Sequence, residues 1–239
     1  MIETAGRPGH PDTPWVTWTI LAVCGAVFLI GPVSGLNPVY GTGPGLPAAQ
    51  TDYFAHWGVV PQELLHGSPW ALRTPLTALF VHGNWLHLLG NMLFLYVFGA
   101  MTEAHLGRAA FLCCYLLTGY LALFGYAAVH AHSERTLVGA SGAISGVLGA
   151  FLYLFPRARV TSLFPFLFFL PLRFPAWAVL LFWFALQWLA TGTDAGRPGV
   201  AYLAHVVGFA LGFGYAWGLR TPAARVKGAA RSTEGDKPT

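Results

Sequence analysis

The sequence predicts an all-α integral membrane protein, a bundle of six transmembrane helices, on three observations. First, 55% of the 239 residues are hydrophobic and 9% are charged, against about 25% charged in a soluble domain. Second, nearly charge-free apolar runs long enough to cross about 30 Å of hydrocarbon recur along the chain. Third, Lys and Arg are divided unevenly between alternate connections. The 13 basic and 9 acidic residues give a net charge of +4 but are dispersed, which is no footprint for nucleic acid.

Residues 1–14 form a polar segment rich in Gly and Pro, and the run 15–34 that follows is uncharged and reads as the first span. A signal peptide is a poorer reading, because the leader carries one Arg against two acids and no cleavage site precedes a soluble domain. Residues 35–80 hold many Gly and Pro and apolar pieces too short to span, so they predict a long, partly structured loop against the membrane surface. Further spans are expected at 82–101, 108–129, 141–155, 175–191 and 201–219. The fourth, SGAISGVLGAFLYLF, covers only about 22 Å as helix, so its Ser141 end stops below the membrane surface. The apolar stretch 160–172 is broken by Pro165 and Pro171 and fits an interfacial connection. The tail 220–239 is polar and small and is expected to be disordered. Thus 15–219 forms one transmembrane domain between two short cytoplasmic segments. Cys24, Cys113 and Cys114 lie inside apolar runs, two of them adjacent, and make no disulfide framework.

With the N-terminus inside, ten basic residues fall on the cytoplasmic side and three (Arg73, Arg135 and Arg197) outside, which places both termini in the cytoplasm by the positive-inside rule. Eleven Arg against two Lys suggest a GC-rich genome, hence a bacterial plasma membrane.

Polar side chains inside spans are costly and mark functional sites by default. Span two opens with HGNWLHLLGN (His82, Asn84, His87, Asn91), span four with GASGAIS (Ser141, Ser145) and span six with AYLAHVVG (His205). In the predicted topology all three start from the outside, so these groups share one depth. His87 and Asn91 lie one turn apart and about 40° around the helix, able to face one object. His82 lies about 140° from His87 and is expected at the helix mouth, holding the loop or a water. Gly142, Gly146 and Ala150 on span four, and Ala204, Gly208 and Gly212 on span six, repeat at the four-residue spacing of close helix packing. Each motif alone reads first as a packing device. Together they suit acyl transfer, with Ser141 as nucleophile, His205 as base, and Asn91, His87 and the Ser141 backbone N–H as oxyanion donors. The acidic residues all fall in predicted loops or tails, which leaves a Ser–His dyad and nothing to orient His205. An intramembrane metal site on His82, His87 and His205 is a different reading, weakened by the opposed facing of His82 and His87 and by the lack of a carboxylate or thiolate.

HGNWLHLLGN, GASG and AHVVGFALG, in that order, resemble the rhomboid intramembrane serine proteases over roughly residues 70–217. The resemblance implies a six-helix rhomboid fold and a serine endopeptidase, a hydrolase without metal or organic cofactor, that cuts transmembrane protein substrates in the lipid bilayer near the outer face. It carries the nucleophile to Ser141, the base to His205, the oxyanion donors to His87 and Asn91, an additional histidine to His82 and the glycine before the nucleophile to Gly139. Two departures stand out. Leu72-Arg73 replaces a Trp-Arg pair, and Ser145 replaces an aromatic residue four positions after the nucleophile. The alternative within the same fold is a pseudoprotease that binds membrane clients without cleavage. Water is expected to reach Ser141 through a cavity lined by His82, Asn84, His87 and Asn91. The aromatic face of span five (Phe182, Trp183, Phe184) is a candidate gate for substrate.

Overall fold

The computed structural model describes the backbone of residues 13–41, 43–67, 69–164, 170–191 and 201–234, and their side chains except at 162–164, 170–172 and 220–234. Residues 1–12, Pro165, residues 192–200 with Arg197, and residues 235–239 lie outside the described residues. Nine helices and one two-stranded sheet follow in chain order among the described residues: α1 (Trp15–Ile30), α2 (Leu46–Trp57), α3 (Pro61–His66), α4 (Thr74–Thr77), α5 (Trp85–Leu106), α6 (Arg108–Val129), α7 (Ser141–Leu154), β1 (Arg159–Phe164), β2 (Leu170–Pro175), α8 (Ala176–Thr191) and α9 (Tyr202–Glu234). By length and composition α5, α6 and the Tyr202–Leu219 part of α9 are able to cross a membrane, while α1, α7 and α8 are shorter apolar helices.

The architecture is organised around α7, in which every residue from Gly142 to Leu152 is buried. A helix apolar on all sides belongs in a core, and here its small residues let neighbouring backbones close on it. A Cβ on Gly208 would strike the Gly142 carbonyl, one on Gly212 the Gly146 carbonyl, and one on Gly149 the Phe209 carbonyl. The predicted four-residue stripes thus form the α7–α9 seam, with Gly149 as a third, unpredicted contact on α7. On the other side, Gly119 of α6 stands where a Cβ would lie 2.7 Å from that of Ala143. Phe111, Tyr115, Leu148 and Phe151 fill the centre.

The 35–80 segment is more ordered than a surface loop. Besides α2, α3 and α4 it contains short 3₁₀ turns, and its end, Ala78–Phe80, enters the core with Ala78 and Leu79 fully buried. Its backbone also fixes the segment before α7. Val59 and Leu137 exchange hydrogen bonds of 2.9 and 2.8 Å, Gln62 N–H donates to Ser133 O at 3.1 Å, and Gly139 N–H donates to Ala78 O at 2.9 Å.

Four expectations are corrected. The connection before α8 is an antiparallel hairpin pairing Arg159 with Pro175 through Phe164 with Leu170, so the fold is mostly helical rather than all-α. Val160 and Thr161 favour the pleated backbone, and Pro175 stands at the strand end where no ladder donor is required. Span two starts at Trp85, because Asn84 adopts an extended backbone and caps α5 by accepting the His87 N–H at 2.8 Å. α9 continues as helix to Glu234, through an Ala-rich stretch expected to be disordered. Finally, Glu103 is not in a loop. It lies in the last turns of α5 and is 3% exposed, accepting hydrogen bonds from Val16 N–H (2.9 Å), Thr17 N–H (2.7 Å) and Thr17 Oγ (2.7 Å). The N-cap of α1, Pro14, offers no side-chain oxygen, so a carboxylate from the neighbouring helix satisfies its first free N–H groups.

Candidate active site

Ser141 is the first residue of α7, and its hydroxyl lies 2.8 Å from Nε2 of His205, in the first turns of α9. The pair meets because the glycine seam removes the side chains that would otherwise separate the two helices. His205 is 7% exposed and its ring is held on several sides. Nδ1 lies 2.7 Å from Oε1 of Gln187 on α8. The Trp183 ring stands 6.1 Å away at 28°, and Tyr202 meets the imidazole edge-on at 6.4 Å. Ser145, four positions after Ser141, turns its hydroxyl back to Ser141 O at 2.6 Å. Beyond the Ser141 hydroxyl, support for the ring comes from α8, through Gln187 and Trp183, and from Tyr202 of α9.

On the opposite wall stand His87 and Asn91 of α5. Gly83 N–H points at His87 Nδ1 at 3.4 Å, which leaves the hydrogen on Nε2. Asn91 is 8% exposed, and its Nδ2 has no hydrogen-bond partner among the described residues. Gly139 faces both, at φ +124°. A Cβ there would lie 2.7 Å from His87 Nε2 and 3.7 Å from Asn91 Nδ2, so glycine serves both the backbone conformation and the space.

Ser141, His205, His87, Asn91, Asn84 and Gly139 line one cavity of about 570 Å³, within the range of ligand pockets. Its wall also includes Leu86 and Phe94 of α5 and Trp183 of α8. His82 does not line it. The residue is 1% exposed, sits behind His87 with ring centroids 5.3 Å apart, and its Nδ1 lies 3.3 Å from Phe80 O. The predicted 140° separation fails because His82 precedes the helix, so the two histidines are neighbours. Among the described residues no three His, Cys, Asp or Glu side chains converge as metal ligands. The aromatic face expected on α8 divides: Phe182 is 67% exposed, whereas Phe184 turns inward onto Phe209 at 4.9 Å. Gln187 was missed by sequence reasoning, although an amide in the apolar run WFALQWL carries the same signal that marked Asn91.

A bundle of apolar helices, three of which among the described residues are long and apolar enough to cross a membrane, encloses a serine–histidine hydrogen bond within a cavity, the architecture of a multi-pass membrane protein. The model of the Rhomboid domain matches residues 67–222, and the chain belongs to the rhomboid family. It is 34% identical to "Rhomboid protein 1, mitochondrial" of Saccharomyces cerevisiae over 145 residues, 58% of this chain and 39% of that protein. It is 31% identical to "RHOMBOID-like protein 5" of Arabidopsis thaliana over 173 residues, 61% of this chain and 53% of that one. With "Rhomboid protease GluP" of Bacillus subtilis it shares 35% identity over 107 residues, 44% of this chain and 20% of the relative. The chain thus spans about half or less of the length of these relatives.

Proposed function

We propose that the protein is an intramembrane serine endopeptidase that cleaves transmembrane protein substrates through a Ser141–His205 dyad. The observation that carries this reading is the 2.8 Å hydrogen bond between Ser141 Oγ and His205 Nε2 inside a cavity walled by amide and imidazole donors. His205 takes the hydroxyl proton as Ser141 attacks the scissile carbonyl, then returns it to the leaving amine, and water resolves the acyl-enzyme by the same route. Charge developing on the carbonyl oxygen is met by Asn91 Nδ2–H, His87 Nε2–H and the Ser141 backbone N–H at the start of α7. No step calls for a metal or an organic cofactor.

Six spans (α1, α5, α6, α7, α8 and α9), with both termini cytoplasmic, set this site near the outer face, in keeping with the Arg distribution of the sequence. The domain covers 15–219, flanked by the segments 1–14 and 220–239. Substrate enters between α5 and α8, where Leu86, Phe94 and Trp183 form the cavity wall. An engineered disulfide joining α5 to α8 is expected to abolish cleavage of a membrane substrate, while unchanged turnover in the oxidised protein would remove that route.

The direct test is intact-mass detection of covalent labelling by a fluorophosphonate, with Ser141→Ala and His205→Ala alongside. Labelling of the parent alone supports an activated serine. A folded parent that neither labels nor cleaves a membrane substrate would favour a client-binding pseudoprotease.

A further inference from the structure

We propose that Gln187 is the positioning residue of the catalytic histidine, its side-chain oxygen accepting the Nδ1 hydrogen of His205 and thereby turning the bare Nε2 toward Ser141. The inference rests on the dyad reading above and supplies the third member that the sequence lacks. A neutral imidazole has one N–H and one lone pair, and the partner of one nitrogen decides which is which. With Oε1 of Gln187 at 2.7 Å from Nδ1, the hydrogen resides on Nδ1, and Nε2 faces the Ser141 hydroxyl as an acceptor at 2.8 Å. The reversed amide would offer an NH₂ to Nδ1, drive the hydrogen to Nε2, and leave Ser141 without a base. One amide orientation is therefore compatible with proton transfer, and it is the one found.

A second observation is independent of that distance. Gln187 is a half-buried amide in an otherwise apolar helix, where such a group is unfavourable unless it is hydrogen-bonded. It lies one turn after Trp183, so the two occupy one face of α8. That face holds the imidazole at its Nδ1 edge and over its ring. A displacement of α8 of more than about 1 Å would stretch the Gln187 bond beyond hydrogen-bonding range, so the base is correctly set only when α8 is seated.

The surroundings make the effect of charge readable. From α5, His87 is the titratable group on the cavity wall, α9 itself brings Tyr202, and α7 brings the hydroxyls of Ser141 and Ser145. α6 contributes Leu123, and α8 contributes the uncharged Trp183 and Gln187. Among the described residues no Asp, Glu, Lys or Arg lines the cavity. A carboxylate at position 187 would be the first formal charge beside the imidazole and would favour imidazolium.

The test measures the rate of Ser141 labelling by a fluorophosphonate between pH 4 and 9 in the purified full chain, with Gln187→Leu, Gln187→Glu and the Ser141→Ala blank. Gln187→Leu keeps the size but not the acceptor, and labelling is expected to slow by roughly 10²-fold. Gln187→Glu restores an acceptor, so it is expected to recover most of that loss. It should also move the pH below which labelling fades upward by about 1–3 units, because His205 then takes up its proton at higher pH. If the leucine variant does not fold, the pH limb of the glutamate variant decides alone. Parental rates with an unmoved limb, or slowing in both variants without a shift of the limb, would reduce Gln187 to a packing residue and overturn the proposal. A folded parent that labels at no pH would overturn the dyad reading itself, and this inference with it.

Discussion

The two ends of the helical bundle treat buried polar groups in opposite ways. Near the end of α5, Glu103 is buried with three donors on its two oxygens, all from the first turn of α1. Toward the start of the same helix Asn91 Nδ2, and just before it His82 Nε2, are buried with no partner among the described residues. Buried polar groups are ordinarily satisfied, and an unsatisfied one is held at a cost that the rest of the fold must offset. Where every donor and acceptor is used, the group joins helices. Where a donor is left facing a cavity beside a serine and a histidine, as Asn91 Nδ2 is, it is free to meet the oxyanion of the proposed reaction.

Substitutions at the two ends are therefore expected to separate activity from stability. The largest effect belongs to the dyad. Ser141→Ala and His205→Ala should each lower cleavage of a membrane substrate by at least about 10⁴-fold, some 5.5 kcal/mol of transition-state stabilisation. The midpoint of thermal unfolding in detergent should stay near that of the parent. A fall in midpoint as large as that of a core truncation would mean that the pair holds α7 to α9 rather than doing chemistry.

Asn91→Ala comes next. Removal of an unpaired donor should slow cleavage by roughly 10²–10³ and leave stability unchanged or slightly raised, since a buried Nδ2 donor without a partner among the described residues is lost. Glu103→Ala should show the reverse. It strands the Val16 and Thr17 donors and is expected to destabilise the fold by about 2–4 kcal/mol, seen as a lowered unfolding midpoint, with cleavage per folded molecule close to parental. Equal losses of activity and stability in both variants would erase the distinction between the two ends.

How much of this was legible in the sequence differs between the same regions. The convergence of Ser141, His205, His87 and Asn91 is readable because polar residues stand out in apolar runs and because three helices enter from one side. Gly142, Gly146, Gly208 and Gly212 are readable from their spacing, whereas Gly149 falls outside the i, i+4 rhythm. Glu103 was misread because α5 runs past Met101 to Leu106, and a carboxylate near a span boundary resembles a loop residue until its partners on α1 are known. His82 does stand at the helix mouth, but its separation from His87 was misjudged by extending helical angles through Asn84, the cap at which the helix begins. Gln187 lies near the C-terminal end of a helix running opposite to α7 and α9, so its level with His205 emerges only once that direction is taken into account.

Asn84 provides the finest distinction, because it lies at the cavity end yet its side-chain oxygen is engaged by backbone. Its side chain lines the cavity, which suggests a role with water, and it also caps α5 through the His87 N–H. These two roles respond differently to substitution. As a cap, Asn84→Ala should destabilise by about 1 kcal/mol. Fraying of the first turn would loosen His87, whose ring lines the cavity and is proposed as an oxyanion donor, and slow cleavage several-fold. Asn84→Asp retains an excellent capping oxygen and adds a charge that the helix N-terminus favours, so both the midpoint and the rate should stay close to parental. If the side chain serves the cavity instead, the carboxylate would disturb the charge balance around His87 and His205, and the aspartate variant would lose more activity than the alanine. Measuring both rates and both midpoints therefore assigns Asn84 either to the partnered, structural class that Glu103 exemplifies or to the reactive class of Asn91.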